Sequence, residues 1–244
     1  MNKSNENFLI VQNATSMSRN EAFKVLLGED ELLKPYAFIN INEIKSKDEA
    51  NLIAHHLTNH PNPTREACAL MLLEMSGAEF FSDCAEIFTD SICDINPNVC
   101  RAIIEFLVKN PPLASKTLPF IIERVEKILD DFKIYEKEFG AFKDNKMRNR
   151  KNHAKNKKLF NLYWCLEAIS EIYSEDKFFD IVKICIVTVD FLDYTIREKT
   201  AKILTKMENP PKELLQKLKN DKNFYVKNLV YDKICKDSNY RDTL

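Results

Sequence analysis

Asp94-Ile95-Asn96-Pro97-Asn98-Val99, followed by the apolar positions Ala102, Ile103, Phe106 and Leu107, is the stretch that decides how this chain folds. Pro97 has a fixed φ and no amide donor, so it fits the first positions of a helix. Asp94 or Asn96 can accept from the amides left unpaired there. One helix therefore ends before the turn and another starts after it. Phe80 to Ile92 and Val99 to Leu107 both carry apolar residues at helical spacing, which predicts an αα-hairpin closed by a short, stiff turn.

The turn recurs along the chain. Asn59-His60-Pro61-Asn62-Pro63-Thr64-Arg65 and Asp221-Lys222-Asn223-Phe224-Tyr225-Val226-Lys227 align with Asp94 to Cys100, and Asp190 to Arg197 joins them with one inserted residue. Each has a polar capping residue and then a β-branched residue, three times followed by a basic one. Eight positions after the β-branched residue stands Leu72, Leu107, Leu204 or Ile234. The spacings between those four are 35, 97 and 30 residues, so the middle gap holds one more unit plus an insertion. Its first helix is expected from about Ala114 to Phe132 and its second from about Lys157 to Tyr173, with a long charged stretch between them.

Thr64-Arg65, Val99, Ile196-Arg197 and Val226-Lys227 give this pattern its likeness: it resembles the HEAT repeat family, over roughly Ser46 to Lys236. Cys100 stands where that family has arginine, and the third unit has no recognisable turn. The resemblance implies an all-α fold, a right-handed α-α superhelix, that is, a HEAT/armadillo-like solenoid of about five helix pairs in which each amphipathic hairpin needs a neighbour to bury its second face. Residues 18–236 would form this single domain, with Ser18 to Tyr36 capping one end, a basic insertion at 143–158, a polar lead-in at 1–17 and a polar tail at 237–244. The repeats also resemble those of the DNA-alkylation-repair branch of HEAT-like proteins. That likeness is in the scaffold alone: base excision by those relatives uses an acidic residue with aromatic side chains around a concave DNA-binding face, and this chain has a single tryptophan.

Composition agrees with a helical, globular chain. Hydrophobic residues make up 45% and charged residues 30%, and three glycines are too few for a strand-rich fold with its tight turns and bulges. A formal net charge of −1 excludes a globally basic nucleic-acid binder. Seven cysteines, odd in number and never spaced as CxxC, suggest neither a disulfide framework nor a zinc ribbon. No apolar run approaches the roughly 18 residues of a membrane span, so no membrane partner and a reducing, cytoplasmic address are expected.

Few residues offer chemistry. His56 and His60 lie four apart, where helical residues share a face, and could meet Cys68 from the facing helix; histidine near a helix C-terminus is also favoured by the macrodipole alone, and no metal is assigned. Cys68, Cys165 and Cys185 fall in apolar helical patterns, where cysteine acts as a small hydrophobe. Trp164, the single tryptophan, is read as core. The outlier is the insertion, where Lys143, Lys146, Arg148, Arg150, Lys151, Lys155, Lys157 and Lys158 face only Asp144, a local +7 that leaves −8 for the rest. It is a candidate arm for nucleic acid or an acidic partner, or a solvated stretch interleaved with asparagine. Exposed positions of the second helices, Glu66, Arg101, Glu105, Glu198 and Lys202, form a candidate protein-binding face whose alternating charges lack the footprint of phosphate binding.

No acid, base, nucleophile or metal set assembles from this pattern, so no catalytic residue and no cofactor is assigned. The expected function is a non-catalytic interaction scaffold that binds another protein through a curved helical-repeat surface. The alternative is a nucleic-acid-binding HEAT-like protein acting through the basic insertion, at its extreme a DNA-repair glycosylase.

Overall fold

Proline, serine and Asx side chains fix where the helices begin. In the computed structural model, which describes residues 16–138 and 145–236, they open most of the twelve α-helices among those residues. Most of the lead-in, the tail and Lys143 lie outside the described residues. The described residues hold no strand beyond an isolated bridge between Glu43 and Ser76. Packing divides the chain into two compact units that meet at Thr117 and Leu118.

The first unit begins with α1 (Arg19–Leu27), where Ser18 and Glu21 form the full reciprocal box: the Ser18 amide donates to the Glu21 carboxylate at 2.8 Å. α2 (Lys34–Phe38) has Pro35 in its first turn, the place in a helix that proline suits. α3 (Lys47–His55) is capped by Ser46, but the Glu49 carboxylate turns away to the Lys45 amide and Arg19. α4 (Asn62–Leu72) follows Pro61, with Pro63 inside its first turn.

The expected helix from Phe80 is broken. A 3₁₀ turn, Ala78–Phe81, precedes α5 (Ala85–Ile92) and drives Phe81 into an aromatic cluster with Phe88 and Phe106, ring centroids 5.6–5.9 Å apart. Gly77 makes that turn possible. Its φ is +92°, and a Cβ there would lie 2.2 Å from the Ile44 carbonyl oxygen. α6 (Pro97–Lys109) starts at Pro97 with Asn96 as its cap. In this unit α4 packs on α6, α2 on α4, and α3 on α5, so equivalent helices of successive pairs lie side by side.

α7 (Pro111–Glu138) crosses from the first unit into the second and carries Pro119 inside it. It starts ahead of the expected Ala114, since Pro111 and Pro112 occupy its first positions and lack only donors that would have no partner there. The second unit continues with α8 (Asn145–Glu171), α9 (Phe178–Thr188), α10 (Tyr194–Lys206), α11 (Lys212–Lys219) and α12 (Phe224–Lys236). α10 sits between α8 and α12, with α9 and α11 also against it.

One expectation needs correction. The basic stretch is no insertion between two helices, because from Asn145 onward it is the first half of α8. Lysine, arginine, methionine and alanine all favour helix, and no proline or glycine interrupts 145–171. Leu72, Leu107, Ile169 and Leu204 are buried as their positions require, at 0–1% exposure. Each contributes about 1.5–3 kcal/mol by leaving water.

Candidate functional site

At two of the turns the basic residue that follows the β-branched position joins that turn to the next. Arg65, on α4, donates from Nε and Nη2 to the Asp94 carboxylate at 2.6 and 3.0 Å, while Nη1 bonds the His60 carbonyl. Arg197, on α10, repeats this on Asp221 at 2.6 and 3.0 Å and adds the Phe191 and Leu192 carbonyls at 2.7 and 3.0 Å. Each aspartate also accepts an amide of its own turn, from Asn96 or Asn223, at 2.7 Å. A planar guanidinium fork suits this bidentate contact, which lysine could not reproduce. Asp221 is held below the ordinary aspartate range chiefly by the Arg197 bond. Where Cys100 replaces arginine, the buried thiol donates to the Asp94 and Asn96 carbonyls, and burial pushes its pKa up to about 12. These residues are joints between helix pairs.

The candidate face is partly consumed by similar joints. The Glu66 carboxylate accepts from the side-chain amides of Asn96 and Asn98 at 2.7 and 2.9 Å. Lys202 bonds Glu167 at 2.9 Å and Glu171 at 2.5 Å. Arg101 and Glu105 are exposed, Glu105 within reach of Lys109, and Glu198 is half-buried. Glu66, Arg101 and Glu105 belong to the first unit, Glu198 and Lys202 to the second.

Glu167 is the centre of a charge cluster that sequence reading missed. It takes Lys202 and the buried Lys199, the latter at 3.0 Å, and Lys199 also lies 4.6 Å from the centre of the Tyr163 ring. Burial alone would raise the Glu167 pKa, but the two lysines hold it below the ordinary value. Burial alone would lower Lys199, and Glu167 reverses that too. Glu167 and Glu171 at i, i+4 facing Lys199 and Lys202 was the available signal. Trp164 is buried beside it, edge-on to Tyr163 at 5.4 Å.

The histidines do converge, but on hydrogen-bonding partners. His56 stacks on His60 with centroids 4.4 Å apart. Its Nδ1 lies 2.7 Å from the Leu52 carbonyl oxygen and its Nε2 3.2 Å from that of Leu26, while His60 Nδ1 is 3.1 Å from Glu31. Cys68 donates to the Ile53 carbonyl, and burial raises its thiol well above the usual range, as it does for Cys185 to about 12. Among the described residues no group of three or more His, Cys, Asp or Glu side chains is arranged to hold a metal. Nor is any helix among them long and apolar enough to cross a membrane.

The basic stretch meets a cleft of about 620 Å³ in the second unit. Its apolar lining comes from Leu129 and Phe132 of α7, Leu159 of α8, Val187 of α9 and Phe191 with Leu192 of the next turn. Lys133, Lys155, Asp190 and Asp193 also line it; Lys133 pairs with Asp130 at 2.8 Å and Asp190 with Lys217 at 2.6 Å. Phe191 packs edge-on against Phe132 at 5.2 Å, while Leu192 is 86% exposed on the rim. Lys158 pairs with Asp131 and so ties α8 to α7; Lys157 is exposed. For Lys146, Arg148, Arg150 and Lys151 the helical backbone alone is described. Phe191 and Leu192 escaped sequence reading, although the one-residue insertion in this turn and its two apolar residues marked it.

No protein family matches this sequence, and no curated protein matches it. Among solved structures, the crystal structure of an engineered protein from the Northeast Structural Genomics Consortium is similar over 96% of this chain and 95% of that chain, at 12% identity and a TM-score of 0.40. A likeness that low transfers neither fold nor function.

Proposed function

We propose that this protein is a non-catalytic interaction scaffold of HEAT-like build, a right-handed superhelix of stacked helix pairs that binds another protein in a reducing cytoplasm. The observation that carries the reading is the cleft in the second unit, whose lining includes six apolar residues, among them the solvent-exposed Leu192. Exposed apolar surface beside a polar border is the usual mark of a protein contact. Groups whose protonation the fold shifts lie elsewhere: Asp221 in a turn joint, Glu167 and Lys199 between helices, and Cys100 and Cys185 as protonated thiols. None is left as a poised acid, base or nucleophile in that cleft.

A second reading, nucleic-acid binding, is favoured by one feature: residues 145–158 of α8 hold seven lysines and arginines and no carboxylate. Affinity capture on the full chain, at two salt concentrations and with or without nuclease, separates the two. The scaffold reading expects a defined protein that survives nuclease treatment. Recovery that vanishes with nuclease, or a steep loss of bound nucleic acid with salt, overturns it in favour of the second reading.

A further inference from the structure

We propose that His56, stacked on His60, is a proton-operated latch in the first unit: the end of α1 is docked on α3 while the His56 ring is neutral and is released when the ring takes up a proton. The inference is independent of the cleft and of the scaffold reading.

The geometry leaves His56 poorly served in either state. The residue is 1% exposed, and each ring nitrogen faces a backbone carbonyl oxygen. Nδ1 lies 2.7 Å from that of Leu52, one turn back on α3, and Nε2 lies 3.2 Å from that of Leu26 on α1. A neutral imidazole has one N–H, so it serves one carbonyl and turns a lone pair toward the other. A protonated ring donates to both, but then a charge sits where water does not reach.

The groups around the ring decide between these states. From α2 come the buried Lys34 ammonium and the Phe38 ring, the latter edge-on at 5.7 Å. The turn after α3 supplies His60, its ring parallel to within 13° at 4.4 Å, and α3 itself supplies His55, edge-on at 6.0 Å. α4 contributes Arg65, which bonds the His60 carbonyl and is itself paired with Asp94. The nearby carboxylate, Glu31, is engaged by Lys34 at 2.6 Å and by His60 Nδ1 at 3.1 Å. Burial first, then His60 and Lys34, hold the His56 pKa below the ordinary 6.5, so the docked form favours the neutral ring. The sign follows: docking is strongest above about pH 6.5 and weakens as pH falls below it.

Release is local because α1 has two ties to α3. Near its start Arg19 bonds the Glu49 carboxylate at 2.5 Å, and near its end the His56 ring meets Leu26. The Leu52 carbonyl belongs to the helix that carries His56 and moves with it, so withdrawal of the α1 end is what brings water to the charged ring. That motion uncovers Leu26 and Phe38, which are 2% and 1% exposed when docked.

The test is hydrogen–deuterium exchange of the full chain between about pH 7.5 and 5.5, each amide scaled to its intrinsic rate at that pH. An undocked ring with the ordinary pKa predicts that opening at residues 22–30 grows about tenfold across this range, with α9 to α12 unchanged. In His56→Gln, whose side chain does not titrate, the increase should vanish, and in Lys34→Met, which removes one of the facing cations, it should shrink. No increase in the wild type, an increase shared by both units, or an increase that persists in His56→Gln overturns the proposal. Should His56→Gln not fold, nitrogen NMR of the wild-type rings decides: protonation of His56 must track the exchange of residues 22–30, and either one changing without the other overturns it.

Discussion

Replacing Arg197 with alanine should destabilise the second unit by about 3 kcal/mol. The side chain makes two bonds to Asp221 and two to backbone carbonyls, and the partners are only 17% and 7% exposed. Breaking a well-buried pair costs about 3–5 kcal/mol because the remaining charge loses its partner. The lower end applies here, since the Asp221 carboxylate keeps the Asn223 amide. For a chain of this size about 3 kcal/mol corresponds to a fall in Tm of about 6–12 °C. Arg197→Lys keeps the charge but loses the fork, so it should lie between the two. Urea unfolding of Arg197→Ala, Asp221→Asn and the double variant gives the coupling energy, expected near 1.5 kcal/mol or above. The Arg197 bond depresses the Asp221 pKa, so its stabilisation is present above the ordinary value of 3.8 and is lost as pH falls below it; the alanine variant should show a flatter acid limb. A loss under about 0.5 kcal/mol, as for an ordinary surface change, or zero coupling would refute the view of this pair as a joint.

Three further outcomes follow from the geometry. Gly77→Ala should cost about 1–3 kcal/mol and loosen the first unit, seen as faster proteolysis around residues 40–80, because its Cβ would meet the Ile44 carbonyl at 2.2 Å. Burial, with His60 and Lys34 beside it, holds the His56 pKa below 6.5, so the folded chain prefers the neutral ring. Stability should then fall as pH drops through about 6.5, by up to about 1.4 kcal/mol per unit, and urea midpoints of His56→Gln between pH 7.5 and 5.5 should show less of that slope. Replacing Lys146, Arg148, Arg150 and Lys151 together by glutamine should leave thermal stability unchanged or raise it by under about 1 kcal/mol, because cations in the first turns of a helix oppose its dipole; a variant that unfolds would contradict the placement of this stretch.

Local chemistry made the helices and their breaks legible. Pro61, Pro97, Pro111 and Pro211 and the Asx turns at Asn96, Asp193 and Asp221 state their roles within a few residues of chain. The Arg65 and Arg197 positions were visible as a recurring basic residue, but their aspartate partners lie 29 and 24 residues away, so only packing could reveal the bond. The break at Ser82 to Cys84 was illegible for the same reason: the three-ring cluster that pulls Phe81 inward is a tertiary effect overriding a helical pattern. The basic run reads as an insertion because its charge breaks the apolar periodicity, yet lysine and arginine are good helix formers and carry α8 back to Asn145. The cleft required α7, α8 and the α9–α10 turn to be placed together, and no single segment encodes that.

The central claim, that this chain works by holding a partner in the cleft of its second unit, is tested most directly by hydrogen–deuterium exchange. The full chain would be measured alone and saturated with the protein recovered by capture. The account predicts slowed exchange confined to residues 129–133, 155–159 and 187–193, with the turns around Arg65 and Asp94 unchanged. Protection elsewhere with none in those three segments, or a captured partner that leaves exchange unaltered, would contradict it.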